Sequence, residues 1–247
     1  MIRSEGRSVR RGVFAHSSRS ALSLLSALAC LAGASPALAE RPMVVDDAGT
    51  LEKGGAKLEF GWSRDDRTRG FDGAAGFSPI DDLELELGLS DVRDHSIDPT
   101  VRARGVGAAL KWVPLQAETG LSAGLKIEYA QVRAKAHGLP DETGRGAALT
   151  GLATWAFATG QSVHLNLGRE WLRVDGRTEA ANTWGIGAEH PLTEKLTVAA
   201  EIFGAEESAP DRQIGLRYEI AEGVKLSGAY GRGNDRSFAN VGVAWEF

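Results

Sequence analysis

The residues best suited to nucleophilic catalysis are Ser162 and His164, which stand two positions apart. A hydrolase of the serine type needs a nucleophile, a base and an orienting acid in one place. Alternate residues of a β-strand lie about 7 Å apart along the strand, so these two side chains are not expected to touch. No phosphate-binding or dinucleotide-binding loop is present in the sequence. We therefore predict that the protein is not an enzyme.

A pair of acidic residues, Asp46 and Asp47, opens the run Asp46-Asp47-Ala48-Gly49-Thr50. The two carboxylates could bind a cation, or they could plug the mouth of a barrel by accepting hydrogen bonds from strand amides. The run also suits an ordinary turn. We favour a structural plug or turn over a cation site.

A second acidic group surrounds a histidine. Metal binding and a solvated loop are the two interpretations of His95 with Asp91, Asp94 and Asp98, and we favour the loop. The chain has a single cysteine, Cys30, which excludes a disulfide framework and a zinc site built from several thiolates. Acidic residues outnumber basic ones 33 to 28, which argues against nucleic acid as a partner. We predict no cofactor and no metal.

The elements that must position these residues are strands, because apolar and polar residues alternate with a period of two along most of the chain. Val163-His164-Leu165-Asn166-Leu167 is one example. We predict twelve strands, of which the second and sixth have the weakest alternation, at 56–64, 70–78, 83–90, 102–113, 121–133, 146–157, 162–173, 182–190, 195–204, 212–220, 224–232 and 237–247.

The connections between these strands alternate between short turns and longer, more charged loops. The longer class comprises 91–101, 134–145, 174–181 and 205–211, with 65–69 and 233–236 at its short end. Such alternation, with both chain ends on the side of the short turns, is typical of an outer-membrane barrel. The predicted fold is an all-β, transmembrane, antiparallel up-and-down β-barrel, and a soluble periplasmic β-sandwich is the competing fold.

The two faces of the strands favour the barrel. Aromatic residues near predicted strand ends, where a membrane girdle would lie, are Trp62, Trp112, Phe157, Trp184, Tyr230 and Trp245. Charged and polar residues occupy the opposite face, and a lipid-facing Lys or Arg at mid-bilayer costs about 2–4 kcal/mol. The residues predicted to line a pore are Lys57, Glu59, Glu84, Glu86, Lys126, Glu128, His164, Asn166, Arg217 and Glu219. Inward glycines, among them Gly105, Gly107, Gly185, Gly187 and Gly242, would leave space in the lumen.

Residues 1–39 have the pattern of a secretion signal. A basic start and the apolar stretch 21–33 precede the small-x-small sequence Ala37-Leu38-Ala39. The apolar stretch is shorter than the roughly 20 residues that span a membrane. We predict cleavage after residue 39, a periplasmic N-terminal segment or plug at 40–55, and a barrel at 56–247 in the bacterial outer membrane. The final strand, with Trp245 and Phe247 on one face, resembles the signal that the barrel assembly machinery reads.

The beginning of the predicted mature chain resembles a known family. Residues 41–54 read Arg-Pro-Met-Val-Val-Asp-Asp-Ala-Gly-Thr-Leu-Glu-Lys-Gly. This is similar to the opening of the outer-membrane proteins named for the MetA pathway of phenol degradation, and Asp46, Asp47, Gly49 and Thr50 form the shared core. Residues 43–45 depart from the threonine usual before the aspartate pair. The resemblance implies an outer-membrane barrel of transporter-like character, and it carries over no catalytic residues.

These observations together predict a transporter or narrow pore for small solutes, including hydrophobic or aromatic ones, with outer-membrane lipid and the assembly machinery as partners. Eight strands are filled by side chains and sixteen leave an aqueous channel, so twelve permit a tight pore or a plugged barrel. The alternative is a closed structural or surface-interaction barrel without transport.

Overall fold

The computed structural model describes residues 41–247 as a closed barrel of twelve antiparallel strands, each paired with its two sequence neighbours, and β1 pairs with β12. The predicted all-β, up-and-down architecture is therefore confirmed. The predicted signal at 1–39 lies outside the described residues. The strands are β1 (Ala56–Asp65), β2 (Thr68–Ile80), β3 (Leu83–Asp94), β4 (Val101–Leu115), β5 (Gly120–Ala136), β6 (Glu142–Ala156), β7 (Ser162–Val174), β8 (Arg177–Pro191), β9 (Leu196–Ala205), β10 (Asp211–Ala221), β11 (Val224–Gly233) and β12 (Arg236–Glu246).

The connections differ from the prediction at one end of the barrel. We call this the loop end, and we call the end that carries the turns 81–82 and 222–223 the turn end. The predicted long loops shrink to 95–100, 137–141, 175–176 and 206–210, because the strands continue through residues with a polar outward face. The two-residue turn Asp175-Gly176 has positive φ at both positions, as a tight hairpin requires. Charged side chains at outward positions interrupt the apolar–polar alternation in these stretches, so the sequence did not indicate strands there.

Apolar side chains cover the outer surface of the barrel, and polar side chains face inward. Phe60, Leu87 and Leu167 point outward and are 66%, 68% and 60% exposed, whereas their strand neighbours on the other face are largely buried. No helix among residues 41–247 is long and apolar enough to cross a membrane. The prediction that Trp184 lies near a strand end is wrong, because β8 extends well beyond it on both sides. Its cross-strand partner Gly204 does lie near the end of the shorter strand β9.

The two chain segments that flank the barrel meet at the turn end. The N–H of Ala56 donates to the carbonyl of Phe247 at 2.8 Å, and the N–H of Phe247 donates back at 2.9 Å. The rings of Trp245 and Phe247 are exposed and lie 4.6 Å apart, centroid to centroid. Their backbone therefore completes the β1–β12 seam, while the assembly-signal role of the two rings stays a prediction.

Candidate functional site

Residues 41–55, which we call the lumenal segment, run across the inside of the barrel. Arg41 lies against β1, β2 and β10, and residues 43–45 lie against β8 and β9. Residues 46–48 contact β4 to β7, and Leu51 reaches β3. At the turn end, the N–H of Gly54 donates to the carbonyl of Ser78 at 2.7 Å. One short stretch of chain thus touches strands all around the lumen.

Asp46 anchors the lumenal segment through two buried lysines. Its carboxylate accepts hydrogen bonds from Lys111 Nζ at 2.9 Å and from Lys126 Nζ at 2.7 Å, and Lys111 also donates to Asp47 at 2.7 Å. Burial alone would raise the pKa of Asp46, but the two lysines outweigh burial, so the pKa lies below its ordinary value. The lysines in turn rely on a carboxylate that belongs to the segment and not to the wall.

The backbone of the lumenal segment is held by polar side chains of the wall. Glu201 accepts hydrogen bonds from the N–H groups of Val44 and Val45 at 2.8 and 2.7 Å. Asn166 binds Asp46 in both directions, since it accepts from the N–H at 2.7 Å and donates to the carbonyl at 2.8 Å. The N–H groups of residues 48, 50 and 51 donate hydrogen bonds to the side chains of Thr154, Gln116 and Glu84, respectively. These side chains satisfy donors that would otherwise be buried without a partner strand.

Glycines of the wall make room for the lumenal segment. A Cβ atom on Gly185 would lie 2.6 Å from Val45 Cγ2, and one on Gly215 would lie 2.6 Å from Pro42 Cγ. Added atoms on Gly187 and Gly242 would also collide with the segment. This corrects the interpretation of inward glycines as spacers for an open lumen, because the segment fills the space. Gly105 differs, since its nearest neighbours are the side chains of Ser90 and Val132.

Several residues predicted to line a pore bind the segment instead. All ten predicted residues lie on the inner face. Glu59 pairs with Arg41 at 3.7 Å, and Arg217 Nε donates to the carbonyl of Arg41 at 2.7 Å. Contacts from Lys126, Asn166 and Glu84 to the segment are those described above.

The remaining predicted lining residues interact within the wall. Lys57 Nζ lies 2.7 Å from both Glu84 and Glu86, forming a buried cluster on β1 and β3. Glu128 lies 3.7 Å from Lys126, and Glu219 accepts a hydrogen bond from the N–H of Gly223 at 3.2 Å. Lys57 and Lys126 thus offset part of the negative charge on the inside of the barrel.

The members of the aspartate motif, Asp46, Asp47, Gly49 and Thr50, lie together in the lumenal segment. Asp46 is buried, whereas the side chain of Asp47 is 43% exposed. A Cβ on Gly49 would lie 2.8 Å from Asp47 Oδ2, so glycine lets that carboxylate fold back over the chain. Thr50 exchanges hydrogen bonds with Gln116, which also donates to Asp82 at 2.7 Å.

Sequence reasoning missed several residues that hold the segment, among them four residues of the wall: Lys111, Thr154, Glu201 and Gln213. Gln213 Nε2 donates to the carbonyl of Pro42 at 2.9 Å. Each of the four is polar and occupies an inward position of an alternating strand. A polar residue at an inward position of an alternating strand was therefore the sequence signal that could have identified them.

The serine–histidine pair is closer than its spacing predicted. Ser162 Oγ lies 3.1 Å from His164 Nε2, and Thr154 Oγ1 lies 2.9 Å from His164 Nδ1. The separation expected along a strand was wrong for these side chains because both rotate toward each other within the lumen. A threonine hydroxyl occupies the place where a catalytic histidine meets an acid.

A Gly-x-Ser-x-Gly sequence at residues 120–124 also escaped the sequence reasoning. It lies at the beginning of β5, and not on the strand-to-helix turn that presents a hydrolase nucleophile. Ser122 Oγ accepts a hydrogen bond from the N–H of Ala117 at 3.0 Å. Ser122 pairs across the sheet with Thr154, and Thr154 pairs with His164. One strand therefore separates this serine from the histidine.

The acidic residues around His95 do not assemble into a site. Asp91 pairs with Arg102 and Arg104, and Asp94 accepts hydrogen bonds from Ser96. Within residues 41–247, no group of three or more His, Cys, Asp or Glu side chains is arranged to hold a metal ion.

Comparison with known sequences identifies a family. Residues 27–247 match the family described as "Uncharacterised conserved protein UCP029691". The chain belongs to this family. No curated protein matches the sequence.

Solved structures with the same fold are outer-membrane barrels. The COG4313 outer membrane channel from Pseudomonas putida F1 is 10% identical, with a TM-score of 0.59 over 81% of this chain and 98% of that chain. KdgM porin in complex with disordered oligogalacturonate is 11% identical, with a TM-score of 0.58 over 77% and 99%. The translocator domain of the autotransporter NalP from Neisseria meningitidis is 13% identical, with a TM-score of 0.54 over 93% and 98%. The comparisons support a family of outer-membrane barrels but not the one named for the MetA pathway.

The fit between wall glycines and the segment predicts the effect of filling one of them. Gly187→Leu should displace residues 43–45, since forcing extra atoms into a packed site costs about 1–3 kcal/mol. Gly146→Leu is the matched control, because an added Cβ there approaches only the carbonyl of Trp171, at 3.8 Å. Docking is measured by maleimide labelling of a Val45→Cys probe, at a residue that is 3% exposed. Faster labelling is expected in the Gly187→Leu protein alone, and equal rates in both variants would contradict the assignment.

Proposed function

We propose that this chain is an outer-membrane channel for small solutes that its own lumenal segment closes. The observation that carries the proposal is the segment itself, an extended stretch held inside a closed barrel by ion pairs and side-chain hydrogen bonds. The segment belongs to no strand of the barrel, so it can leave without breaking the sheet. The likeness of the fold to that of an outer membrane channel and a porin supports this function.

The residues of the inner wall favour solutes that have an apolar part. Toward the loop end, part of the inner wall is apolar, since Val92, Ala103 and Val132 pack together there. Another part of the same end carries Arg236, which pairs with Asp65 and Asp211 at 2.8 Å. A solute would therefore meet both an apolar patch and charged groups in the lumen, which favours small amphipathic molecules, including those with an aromatic ring.

Planar-bilayer recording of the refolded protein tests the proposal. Protein that begins at residue 40 should conduct weakly, and protein that begins at residue 52 should conduct far more, because the deletion removes the segment from the lumen. Heat-modifiable migration in detergent gels shows whether each barrel has closed. Two closed barrels with no conductance would contradict the proposal.

A closed structural barrel is the second candidate, and an apolar cap favours it. Val101, Ala134 and Val174 are buried at the loop end, and Ile97 and Leu139 pack on them from the two adjoining loops. This cap lies over the β4 to β7 side of the loop end, opposite to the end where the segment enters. If the cap is permanent, deletion of the segment will leave conductance unchanged.

Outer-membrane location, insertion through the barrel assembly machinery and cleavage after residue 39 are parts of the same proposal. The continuous apolar outer surface supports the location. The likeness of residues 41–54 to the family named for the MetA pathway adds a hypothesis about aromatic solutes. Competition by such solutes for the conductance of the shortened protein would test that hypothesis.

A further inference from the structure

Basic side chains face outward next to the loop end of the barrel. Five of them form an unbroken line across β1 to β5, which we call the basic row: Arg64, Arg69, Arg93, Arg102 and Lys135. Each member is the direct cross-strand partner of the next. The row thus places five basic side chains on five consecutive strands of the outer surface.

The basic row is internally repulsive. Adjacent strands lie about 4.7–4.9 Å apart, and like charges in directly opposed positions are destabilising. Asp91 pairs with Arg102, and Asp141 pairs with Lys135 at 3.1 Å. Within residues 41–247, no carboxylate pairs with Arg64, Arg69 or Arg93. Three of the five members of the row therefore have no carboxylate partner in the described chain.

The same pattern continues around the barrel. Arg104 stands opposite Arg133, Arg145 opposite Arg173, and Arg212 opposite Arg232. The last pair also lines a surface cleft between the ends of β10 and β11. Like-charged pairs therefore recur outside the row, on β4 and β5, on β6 and β7, and on β10 and β11.

A nearly uncharged band, which we call the uncharged band, begins beside these residues. On β5, the outward positions from Arg133 toward the turn end are Gln131, Tyr129, Ile127, Leu125, Ala123 and Leu121. In the part of the chain that the structure describes, only two outward strand positions between the basic residues and the turn end are charged: Asp91, which pairs with Arg102 and Arg104, and Arg169, which donates a hydrogen bond to Asn182. The basic residues therefore lie where the hydrocarbon region ends and lipid headgroups begin.

We infer that the basic row and its opposed arginine pairs bind phosphate-bearing lipid headgroups of the leaflet at the loop end. Guanidinium groups match phosphate oxygens two at a time, and arginine predominates among these residues. The acyl chains of the same lipid would lie on the uncharged band. One lipid would therefore contact the basic residues with its phosphate and the band with its acyl chains. The inference rests on the proposed membrane location, and it does not depend on transport.

Lipid titration in nonionic detergent micelles tests the inference. The probes are lipid A, a phosphorylated glycolipid, and the same lipid after removal of its phosphates. The test variant is Arg69→Gln/Arg93→Gln. The matched control is Lys53→Gln/Lys195→Gln, which removes the same charge from exposed turns at the other end.

Wild type and the control should bind lipid A equally, and the test variant should bind about 30-fold more weakly, at roughly a factor of five for each basic residue. All three proteins should bind the phosphate-free lipid weakly. Equal affinities for lipid A in all three, or equal losses in both variants, would overturn the inference. Heat-modifiable migration confirms closed barrels, and conductance is not used, so this outcome is independent of channel function.

Discussion

Oxidation of a Val45→Cys/Gly185→Cys protein should lock the lumenal segment in place and abolish channel opening. A Cβ atom on Gly185 would lie 3.6 Å from Val45 Cβ, which is within the range of about 3.5–4.5 Å for a disulfide. The only other cysteine is Cys30, in the predicted signal. Planar-bilayer recording before and after addition of dithiothreitol measures the effect, and the reduced protein should regain all the openings of the wild type.

Val45→Cys/Gly146→Cys is the matched control for this lock. No atom of the segment lies within 4 Å of a Cβ at Gly146, so its thiols should stay free and dithiothreitol should have no effect. An oxidised, cross-linked Val45→Cys/Gly185→Cys barrel that still conducts like the reduced one would show that solutes do not pass where the segment lies.

Asp46→Asn should release the segment, whereas Asp47→Asn should leave it docked. Asp46→Asn removes the buried carboxylate that both Lys111 and Lys126 contact, leaving Lys126 only the more distant Glu128, and loss of one partner from a buried ion pair costs about 3–5 kcal/mol. Asp47 is half exposed, and an exposed pair contributes about 0–1 kcal/mol. Labelling of the Val45→Cys probe should therefore be at least about a hundredfold faster in Asp46→Asn.

A second substitution distinguishes the effect of the lost Asp46 charge from the effect of a changed side-chain shape at residue 46. Adding Lys126→Met to Asp46→Asn removes one stranded charge, so labelling should slow again toward the wild-type rate. If it stays as fast as in Asp46→Asn alone, the ion pair does not hold the segment.

The same ion pair defines a pH dependence. Because the pKa of Asp46 is lowered in the folded protein, its contribution to docking is complete above the ordinary aspartate pKa of about 4. It is lost only as the pH falls through the lowered value. The ratio of the labelling rates of Asp46→Asn and wild type, both with the Val45→Cys probe, should therefore be constant between neutral pH and about pH 5.

Alternation of residue types was sufficient to predict the barrel and the direction of its side chains. His164 and Asn166 face inward as their phase requires, and twelve strands form where twelve were predicted. Strand phase depends only on neighbours along the chain, which makes it visible in a sequence. The loop-end extensions were missed because Arg93 and Arg145 face water or headgroups there, so polar residues occupy both faces.

The occupant of the lumen was harder to predict, because its contacts depend on closure of the whole barrel. Nothing near Asp46 in the chain indicates Lys111 or Lys126, which are 65 and 80 residues away. The acidic run indicated a plug or a turn, but the small residues at Gly185 and Gly187 suggested empty space. Only the closed ring shows that the two features fit each other.

The contacts of the lumenal segment also constrain the order in which the protein folds. Leu51 binds a residue 33 positions later, Arg41 binds one 176 positions later, and Pro42 binds one 198 positions later. Contacts of such long sequence separation form late, after the intervening chain is ordered. The part of the binding surface that contacts Arg41 and Pro42 includes β1 and β12, so the complete surface exists only when β12 has joined β1. We therefore expect complete docking to be a late folding step, which would make protection of the segment a marker of a barrel whose assembly is complete.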